Sequence, residues 1–367
     1  MYYSEISRII EAGLDGDKEK VRSFSLLLMK KMEEDGEARG WTSIKNVLNR
    51  NSFSRATMDS LGPLPVDQES RMNIVDVDYN PKADNLVLAE SVRLKLQDFI
   101  DTIQHKTIID NMGLDFSQSL LLYGYPGCGK TTVASYIASK MQLPLVIARL
   151  DSLISSLLGA TAKNIHKIFE FAQKQPCILF LDEFDAIAKA RDDQYELGEL
   201  KRVVNSLLQN IDDYCKREGI LIVATNHQEL LDNAIWRRFQ TVIEMPRPLL
   251  PEIKRMMDLM PVFLNLKDIK DSQWEKVYQS MEGLSYSDIK RIMNNLSKKA
   301  VLNENYNLEM ESIIAEVFLF RNHGDFSRDE MALFMLRNSV PKKRISSYTG
   351  LSRRRIDYLE SGVRANE

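Results

Sequence analysis

Short apolar runs alternate with amphipathic stretches in the middle of the chain, and this pattern predicts a layered fold. Five runs have the composition of strands that are buried on both faces: SLLLYG, PLVIARL, CILFLDEFD, GILIVATN and TVIEMP. Helical periodicity separates them, as is typical of a parallel sheet whose crossover helices cover both faces. We therefore predict an α/β fold with a parallel sheet over residues 75–248.

Helical patterns lie on both sides of this predicted sheet. Residues 1–74 begin with apolar positions at helical spacing and end in a stretch rich in serine and proline, which predicts a helical N-terminal unit and a linker. Residues 249–322 carry helical periodicity alone and predict a separate helical subdomain. Residues 323–367 change character again and become locally basic, with seven basic and three acidic residues from position 340 onward.

Composition narrows the classes of protein that fit this pattern. A chain of 367 residues with 44% hydrophobic content can build two to four compact units. A net charge of −3 argues against a whole surface that coats nucleic acid or anionic membrane. No apolar run approaches the roughly 20 residues of a membrane span. The three cysteines show no CxxC spacing, so we expect a protein of the reducing cytoplasm with no membrane partner.

The stretch GYPGCGKT follows the first predicted strand and precedes a helical pattern. It matches GxxxxGK[ST], a phosphate-binding loop in which glycines let backbone N–H groups turn toward phosphate oxygens. Lys130 would reach the β and γ phosphates of ATP, and the Thr131 hydroxyl would ligate Mg²⁺. The residues expected to bind the nucleotide are Gly124, Tyr125, Pro126, Gly127, Cys128, Gly129, Lys130, Thr131 and Thr132.

Polar residues follow two later strands, where ligands bind in open α/β folds. Asp182 ends an apolar strand and is suited to the outer shell of the metal, whereas Glu183 is the better candidate to polarise an attacking water. Asn226 ends the next strand and would hold the same water. Arg237 and Arg238 come shortly after it, either as arginine fingers that stabilise transition-state charge or as residues of a surface helix.

These motifs, in this order, resemble the AAA ATPases, which have a phosphate-loop NTPase sheet with a helical lid subdomain. The resemblance covers roughly residues 75–320 and is greatest to the classical clade with the microtubule-severing enzymes spastin and katanin. It implies a ring, usually a hexamer, with ATP between subunits. Lys130, Thr131, Asp182, Glu183 and Asn226 would then act on the subunit's own nucleotide, and Arg237 and Arg238 on the neighbour's.

Two family elements depart from their usual form in this chain. GLSYSDI is similar to the lid element GxSGADI and places Ser287 at the step that faces the adenine, but Ser285-Tyr286 replaces the usual Ser-Gly. The family's pore loop, which grips polypeptide with an aromatic residue, falls on Leu157, Leu158 and Gly159. Leucine lacks the flat ring, so threading of a substrate is less strongly implied.

The C-terminal stretch ISSYTGLSRRRIDYL is similar to a helix-turn-helix, with Arg353, Arg354 and Arg355 at the start of the second helix. Together with the basic run Lys342 to Arg344, these arginines would supply salt-sensitive DNA affinity. The alternative is a helical hairpin that docks on a neighbouring subunit with its arginines solvated.

The sequence thus predicts ATP hydrolysis coupled to work on something else. The leading hypothesis is a homo-oligomeric ring that remodels or regulates a protein partner, such as a protease, and the resemblance to small bacterial AAA proteins adds defence systems as a setting. A DNA-directed motor or loader anchored by the C-terminal segment is the second hypothesis. The third is an ATP-state switch or scaffold with little motor action.

Overall fold

A computed structural model describes residues 2–14, 21, 24–25, 27–29, 31–32, 64–67, 71, 73–82, 86–114, 116–150, 158–186, 197–266, 269–325 and 327–364. The strands are β1 Asp76–Asp78, β2 Ser119–Tyr123, β3 Leu145–Arg149, β4 Ile178–Asp182, β5 Ile220–Thr225 and β6 Thr241–Glu244. They form one sheet in the order β1-β3-β4-β5-β2-β6. All neighbours are parallel except β1, which pairs antiparallel with β3 at the edge. The predicted α/β class with a parallel sheet is confirmed.

The helices from the N-terminus to the end of the sheet are α1 Tyr3–Leu14, α2 Glu90–Gln104, α3 Lys106–Asn111, α4 Lys130–Met141, α5 Leu158–Gln173, α6 Leu197–Lys216 and α7 Asn233–Trp236, with a 3-10 turn at Gln228–Leu230. Those that follow the sheet are α8 Leu250–Met257, α9 Asp271–Ser280, α10 Tyr286–Leu302, α11 Met310–Arg321, α12 Arg328–Arg337, α13 Lys342–Thr349 and α14 Arg353–Arg364. In the part of the chain that the structure describes, no helix is long and apolar enough to cross a bilayer.

Alternate residues of each strand face two different hydrophobic cores. On β2, Leu121 packs into the core shared with α5 and α6, whereas Leu120 and Leu122 pack into the core shared with α2 and α4. Because side chains alternate along a strand, a strand buried on both faces is apolar throughout, which explains the continuous runs in the sequence. The sheet is thereby fixed from both sides, and the carboxyl ends of its parallel strands define one edge.

A third core joins the helices after the sheet to the C-terminal segment. It contains Ile253, Ile289 and Ile313 of the predicted lid together with Ile345 and Ile356 of the last two helices. The C-terminal helices therefore pack on the lid of their own chain. The segments before and after the predicted boundary at residue 323 differ in charge, but they share one hydrophobic core.

The end of the predicted linker lies against the sheet region. Val66 and Asn73 form an antiparallel bridge, the Val66 carbonyl accepts a hydrogen bond from Lys167 (3.0 Å), and Asn164 donates to the buried Asp67 carboxylate. Residues 51–63 of the linker are outside the described part of the chain. The contacts of Asp67 and Val66 connect the linker's end to α5.

Candidate active site

The loop Gly124–Gly129 connects the carboxyl end of β2 to the first turn of α4. Gly129 precedes the helix in a left-handed conformation (φ 92°), and Lys130 is the first helical residue. The positive end of the helix dipole and the backbone N–H groups of its first turn therefore point to the place where the loop bends. Gly127 (φ 75°) also needs the freedom of glycine, and the side chains of Ser285 and Ser287 occupy the space where its Cβ would lie.

Lys130 is buried in this loop and is held by three oxygen atoms. Its ammonium donates to the Gly124 carbonyl (2.8 Å), the Tyr125 carbonyl (3.1 Å) and the side-chain oxygen of Asn226 (2.6 Å). Burial lowers the pKa of Lys130 below its ordinary value, and the nearby carboxylates of Asp182 and Asp185 oppose that shift. The structure thus brings together the predicted loop cation and the predicted polar residue after β5.

Thr131 and Asp182 meet at the carboxyl edge of the sheet. The Thr131 hydroxyl donates to Asp182 Oδ2 (3.2 Å), and Asp182 Oδ1 accepts from the Glu183 backbone N–H (2.9 Å). Mg²⁺ prefers hard oxygen ligands, and this hydroxyl–carboxylate pair supplies them beside the glycine-rich loop. The residues present fit a magnesium nucleotide.

Glu183 occupies a constrained backbone position immediately after β4. Its φ of 56° lies in the left-handed region, which is uncommon for a residue with a Cβ, and the next residue, Phe184, donates its N–H to the Ala224 carbonyl (2.9 Å). Backbone strain of this kind concentrates at functional sites. The half-buried Glu183 is therefore placed by the two central strands β4 and β5.

Asp185 is a site residue that the sequence analysis did not identify. Its buried carboxylate accepts from the Thr225 hydroxyl (3.3 Å) and from the Asn226 backbone N–H (3.2 Å). Asp185 therefore positions Asn226, which in turn contacts Lys130. The available signal was its place in the motif LDEFD, two residues beyond the predicted base.

Arg237 and Arg238 lie near the opposite end of β2 from the phosphate-binding loop. Ser119, the first residue of β2, donates to the Arg238 carbonyl (3.2 Å) and accepts from the Gln240 N–H (3.1 Å). From Ser119 to Gly124, five steps along a strand span about 17 Å. The two arginines are thus far from the loop of their own chain.

The two guanidinium groups differ in their surroundings. Arg238 donates through Nε to Asp212 on α6 (3.0 Å) and through Nη1 to the Ala234 carbonyl (2.7 Å). Arg237 is exposed and forms no ion pair with any residue that the structure describes. Arg238 is held in place by its own chain, whereas Arg237 is available to another molecule.

The lid reaches the phosphate-binding loop through the first turn of α10. The Ser287 N–H donates to the Gly127 carbonyl (3.1 Å), and Ser285 caps the helix by accepting from the Asp288 N–H (3.2 Å). Tyr286, which replaces the family's glycine, packs against both the lid core and the α2–α4 core, and burial raises its pKa. Ser287 therefore lies at the loop, its predicted contact with the adenine stays a prediction, and Tyr286 adds an apolar contact between the two subdomains.

A second feature that the sequence analysis missed is a cation stacked on the loop. The Arg247 guanidinium lies 4.2 Å from the centre of the Tyr125 ring, at the exit of β6. Burial raises the pKa of the Cys128 thiol, and the charges of Lys130 and Arg247 oppose that shift. Arg247 therefore contributes positive potential to the loop.

The predicted pore loop is almost entirely outside the described part of the chain. Leu157 is not described, and Leu158 and Gly159 are the first residues of α5, where only the backbone is described. Their assignment to a pore loop stays a prediction.

Comparisons with known proteins place this site in a family. Residues 120–247 match the model of the ATPase family associated with various cellular activities (AAA). An uncharacterized AAA family ATPase of Sinorhizobium fredii is 39% identical over 253 residues, which cover 69% of this chain and 74% of that protein.

Two archaeal proteins, both named proteasome-activating nucleotidase, are also similar. The one from Pyrococcus abyssi is 32% identical over 196 residues, and the one from Thermococcus kodakarensis is 29% identical over 252 residues. The alignments cover 52% and 66% of this chain and 49% and 63% of the two relatives. The chain thus spans about half to two thirds of the length of these relatives. The matches to the AAA family model and to the Sinorhizobium fredii protein, together with the site described above, show that the chain belongs to the AAA ATPases and binds and hydrolyses ATP.

Proposed function

We propose that the chain works as a ring, usually of six copies in this family, in which each ATP is shared between two subunits. The observation that supports this most directly is the position of the arginine pair. Arg238 adjoins the first residue of β2, about 17 Å from the phosphate-binding loop that follows the last. An arginine placed there contacts a phosphate only on another subunit, and Arg237 is the side chain free to do so.

Within one subunit, the residues at the carboxyl edge of the sheet would divide the work of phosphoryl transfer. Lys130 and the backbone N–H groups of the loop hold the phosphates, and Thr131 and Asp182 hold Mg²⁺. Bound Mg²⁺ supplies charge neutralisation on the phosphate oxygens. Glu183 orients and deprotonates the attacking water, and Asn226, fixed by Asp185, orients the same water.

The work that hydrolysis drives is best assigned to a protein partner. Two relatives carry names that describe activation of a proteasome, and they align with about half or more of this chain. We infer that this chain acts on a polypeptide or on a protease that it regulates. An ATP-state switch with little motor action is the alternative if Leu157 gives no grip on a substrate.

Mixing two inactive variants tests the shared site. Lys130→Ala removes the loop cation, and the double variant Arg237→Ala/Arg238→Ala removes the pair proposed to act on the neighbour. In a mixed ring, a subunit with intact Lys130 can neighbour a subunit with intact arginines. At equal amounts this arrangement occurs at about one interface in four. The steady-state ATPase activity of the mixture should therefore recover to about a quarter of the parent activity.

The control mixes Lys130→Ala with Asp182→Ala, two changes proposed to affect a subunit's own nucleotide. No interface in this mixture has an intact set of loop and metal ligands, so activity should stay at the level of the separate variants. Recovery in the control, or none in the test mixture while size-exclusion chromatography shows mixed oligomers, contradicts the shared site. A Glu183→Gln variant with bound ATP should then retain the partner in a pull-down.

A further inference from the structure

The last three helices form a small unit that is attached to the lid. Helices α12, α13 and α14 contact one another, and α11 of the lid contacts α12 and α13. Their buried side chains include Met331, Met335, Val340, Ile345 and Ile356, all in the lid core. These aliphatic residues of the unit thus face inward, whereas the aromatic side chains of Tyr348 and Tyr358 are exposed.

The turn between α13 and α14 has the form of a helix-turn-helix. It consists of three residues, Gly350–Ser352, and begins with the left-handed Gly350 (φ 73°). Ser346 donates to the Leu351 carbonyl (2.7 Å), and the Leu351 N–H donates to the Thr349 hydroxyl (3.3 Å). Side-chain hydrogen bonds therefore fix the angle at which α14 leaves the turn. In DNA-binding proteins with this motif, the second helix lies in the major groove.

Some of the basic side chains in this segment already form contacts within the chain. Three of them form ion pairs: Lys342 with Asp357 (2.6 Å) and Glu360 (2.6 Å), Arg344 with Glu311 (2.9 Å), and Arg355 with Asp329 (2.6 Å). These pairs hold the helices to one another and to the lid. The three carboxylates on α12 and α14 in these pairs are thereby engaged within the chain.

Three other cations surround the turn and stay unpaired. Arg328, Arg353 and Arg354 are exposed and form no ion pair among the residues that the structure describes. Arg353 and Arg354 open α14, and Arg328 Nη1 lies 3.9 Å from the point where a Cβ on Gly350 would be. We call these three side chains the arginine face.

The arginine face is unfavourable for an isolated helix. The N-terminal end of a helix carries a positive partial charge and favours acidic side chains, yet the first turn of α14 has none. Arg353 and Arg354 at that end, with Arg328 beside the turn, therefore repel the helix dipole and one another. A ligand with an array of negative charges would offset this repulsion. The whole chain has a net charge of −3, so this concentration is local.

We propose that the arginine face binds double-stranded DNA, with the first turn of α14 in the major groove. The planar guanidinium groups of Arg353 and Arg354 would donate to guanine O6 and N7 or to phosphate oxygens. Arg328, on the far side of the turn, would contact the backbone. This function goes beyond ATP hydrolysis and does not require the ring.

Fluorescence anisotropy with a labelled mixed-sequence DNA duplex tests the proposal on the full chain. We expect binding that weakens steeply as KCl rises from about 50 to 200 mM. The double variant Arg353→Ala/Arg354→Ala should bind roughly tenfold or more weakly, and the slope of log K against log salt should fall by about 1.8, or 0.9 for each lost phosphate contact. Its ATPase activity without DNA and its thermal unfolding should match those of the parent.

The matched control is Lys216→Ala/Arg217→Ala, an equal loss of charge at two exposed neighbouring positions, the last residue of α6 and the one that follows it. It should bind the duplex as the parent does. Equal weakening in both variants would reveal a general charge effect and overturn the assignment. Absence of salt-dependent duplex binding in the parent, or tighter binding to single-stranded RNA of the same length, would also overturn it.

Discussion

The contact between the lid and the phosphate-binding loop makes a quantitative prediction for Gly127. A Cβ on Gly127 would lie 2.1 Å from Ser287 Oγ and 2.6 Å from Ser285 Oγ, whereas a Cβ on Gly129 would meet no atom within 4 Å. Both glycines have left-handed φ angles, 75° and 92°. Gly127→Ala therefore adds a clash with the lid to a backbone strain that Gly129→Ala shares.

The two effects can be estimated separately. An L-residue in the left-handed region costs about 1–2 kcal/mol, so Gly129→Ala should lower the free energy of unfolding by that amount. Overpacking adds about 1–3 kcal/mol, and Gly127→Ala should therefore cost roughly 2–5 kcal/mol in all. In the parent, the Ser287 N–H donates to the Gly127 carbonyl (3.1 Å). Distortion of this hydrogen bond by the added methyl group accounts for part of the larger cost of Gly127→Ala.

Equilibrium urea unfolding without nucleotide is the assay, since it separates stability from any effect on ATP affinity. A double-mutant cycle with Ser287→Ala isolates the contact, because this change removes the nearer of the two oxygens. The cost of Gly127→Ala should fall by about 1 kcal/mol in the Ser287→Ala background, and that of Gly129→Ala should not change. Equal costs for the two glycines, or no coupling to Ser287, would refute the lid contact.

Three further predictions concern the site and the core. Glu183→Gln should slow single-turnover hydrolysis by about 100-fold or more while fluorescent ATP still binds; unchanged hydrolysis would exclude Glu183 as the base. Asp185→Ala should lower kcat about tenfold or more and Asp185→Asn much less, because asparagine keeps the oxygen that accepts from the Asn226 N–H; equal kcat values would contradict that role. Burial raises the pKa of Cys177 to about 12 and of Cys215 to about 11, so between about pH 8.5 and about pH 11 only the unfolded chain ionises these thiols. Urea unfolding should show stability falling by about 1.4 kcal/mol per pH unit for each thiol up to its folded pKa, and Cys215→Ser should make the fall less steep.

The central strands of the sheet were predictable because burial on both faces leaves few polar positions within them. All five predicted runs are strands, and each ends where the chain turns at a glycine or a polar residue. The edge strand Asp76–Asp78 was missed, since two of its three residues are aspartates and only one face of it is covered. The order of the strands was not predictable, because every run would pair equally well with several neighbours.

The sequence predicted those site residues that belong to a recognisable sequence motif. Lys130, Thr131 and Asp182 converge because a loop after one strand and a carboxylate after another lie at the same edge of a parallel sheet. Asp185 and Arg247 were missed because their roles depend on three-dimensional contacts, with Asn226 and with the Tyr125 ring. Their residue types fit a solvated surface equally well.

The C-terminal segment shows the same limit for charge. The sequence predicts a basic helix-turn-helix, but it does not separate Arg355, paired with Asp329, from Arg353 and Arg354, which form no ion pair among the described residues. Only the contacts of α14 with α12 make that distinction. They change a run of three similar arginines into one structural residue and two available ones.

The shared lid core connects the nucleotide to this C-terminal unit. The lid contacts the phosphate-binding loop through the Ser287 N–H and the Gly127 carbonyl, and the C-terminal helices are buried in the same core as that lid helix. Packed cores transmit displacements because they have few voids to absorb them. A rotation of α10 that follows a change at the loop would therefore move Ile345, Ile356 and the arginine face with it. We therefore expect a displacement of the lid at the phosphate-binding loop to displace the C-terminal unit as well, although that unit lies outside the sheet.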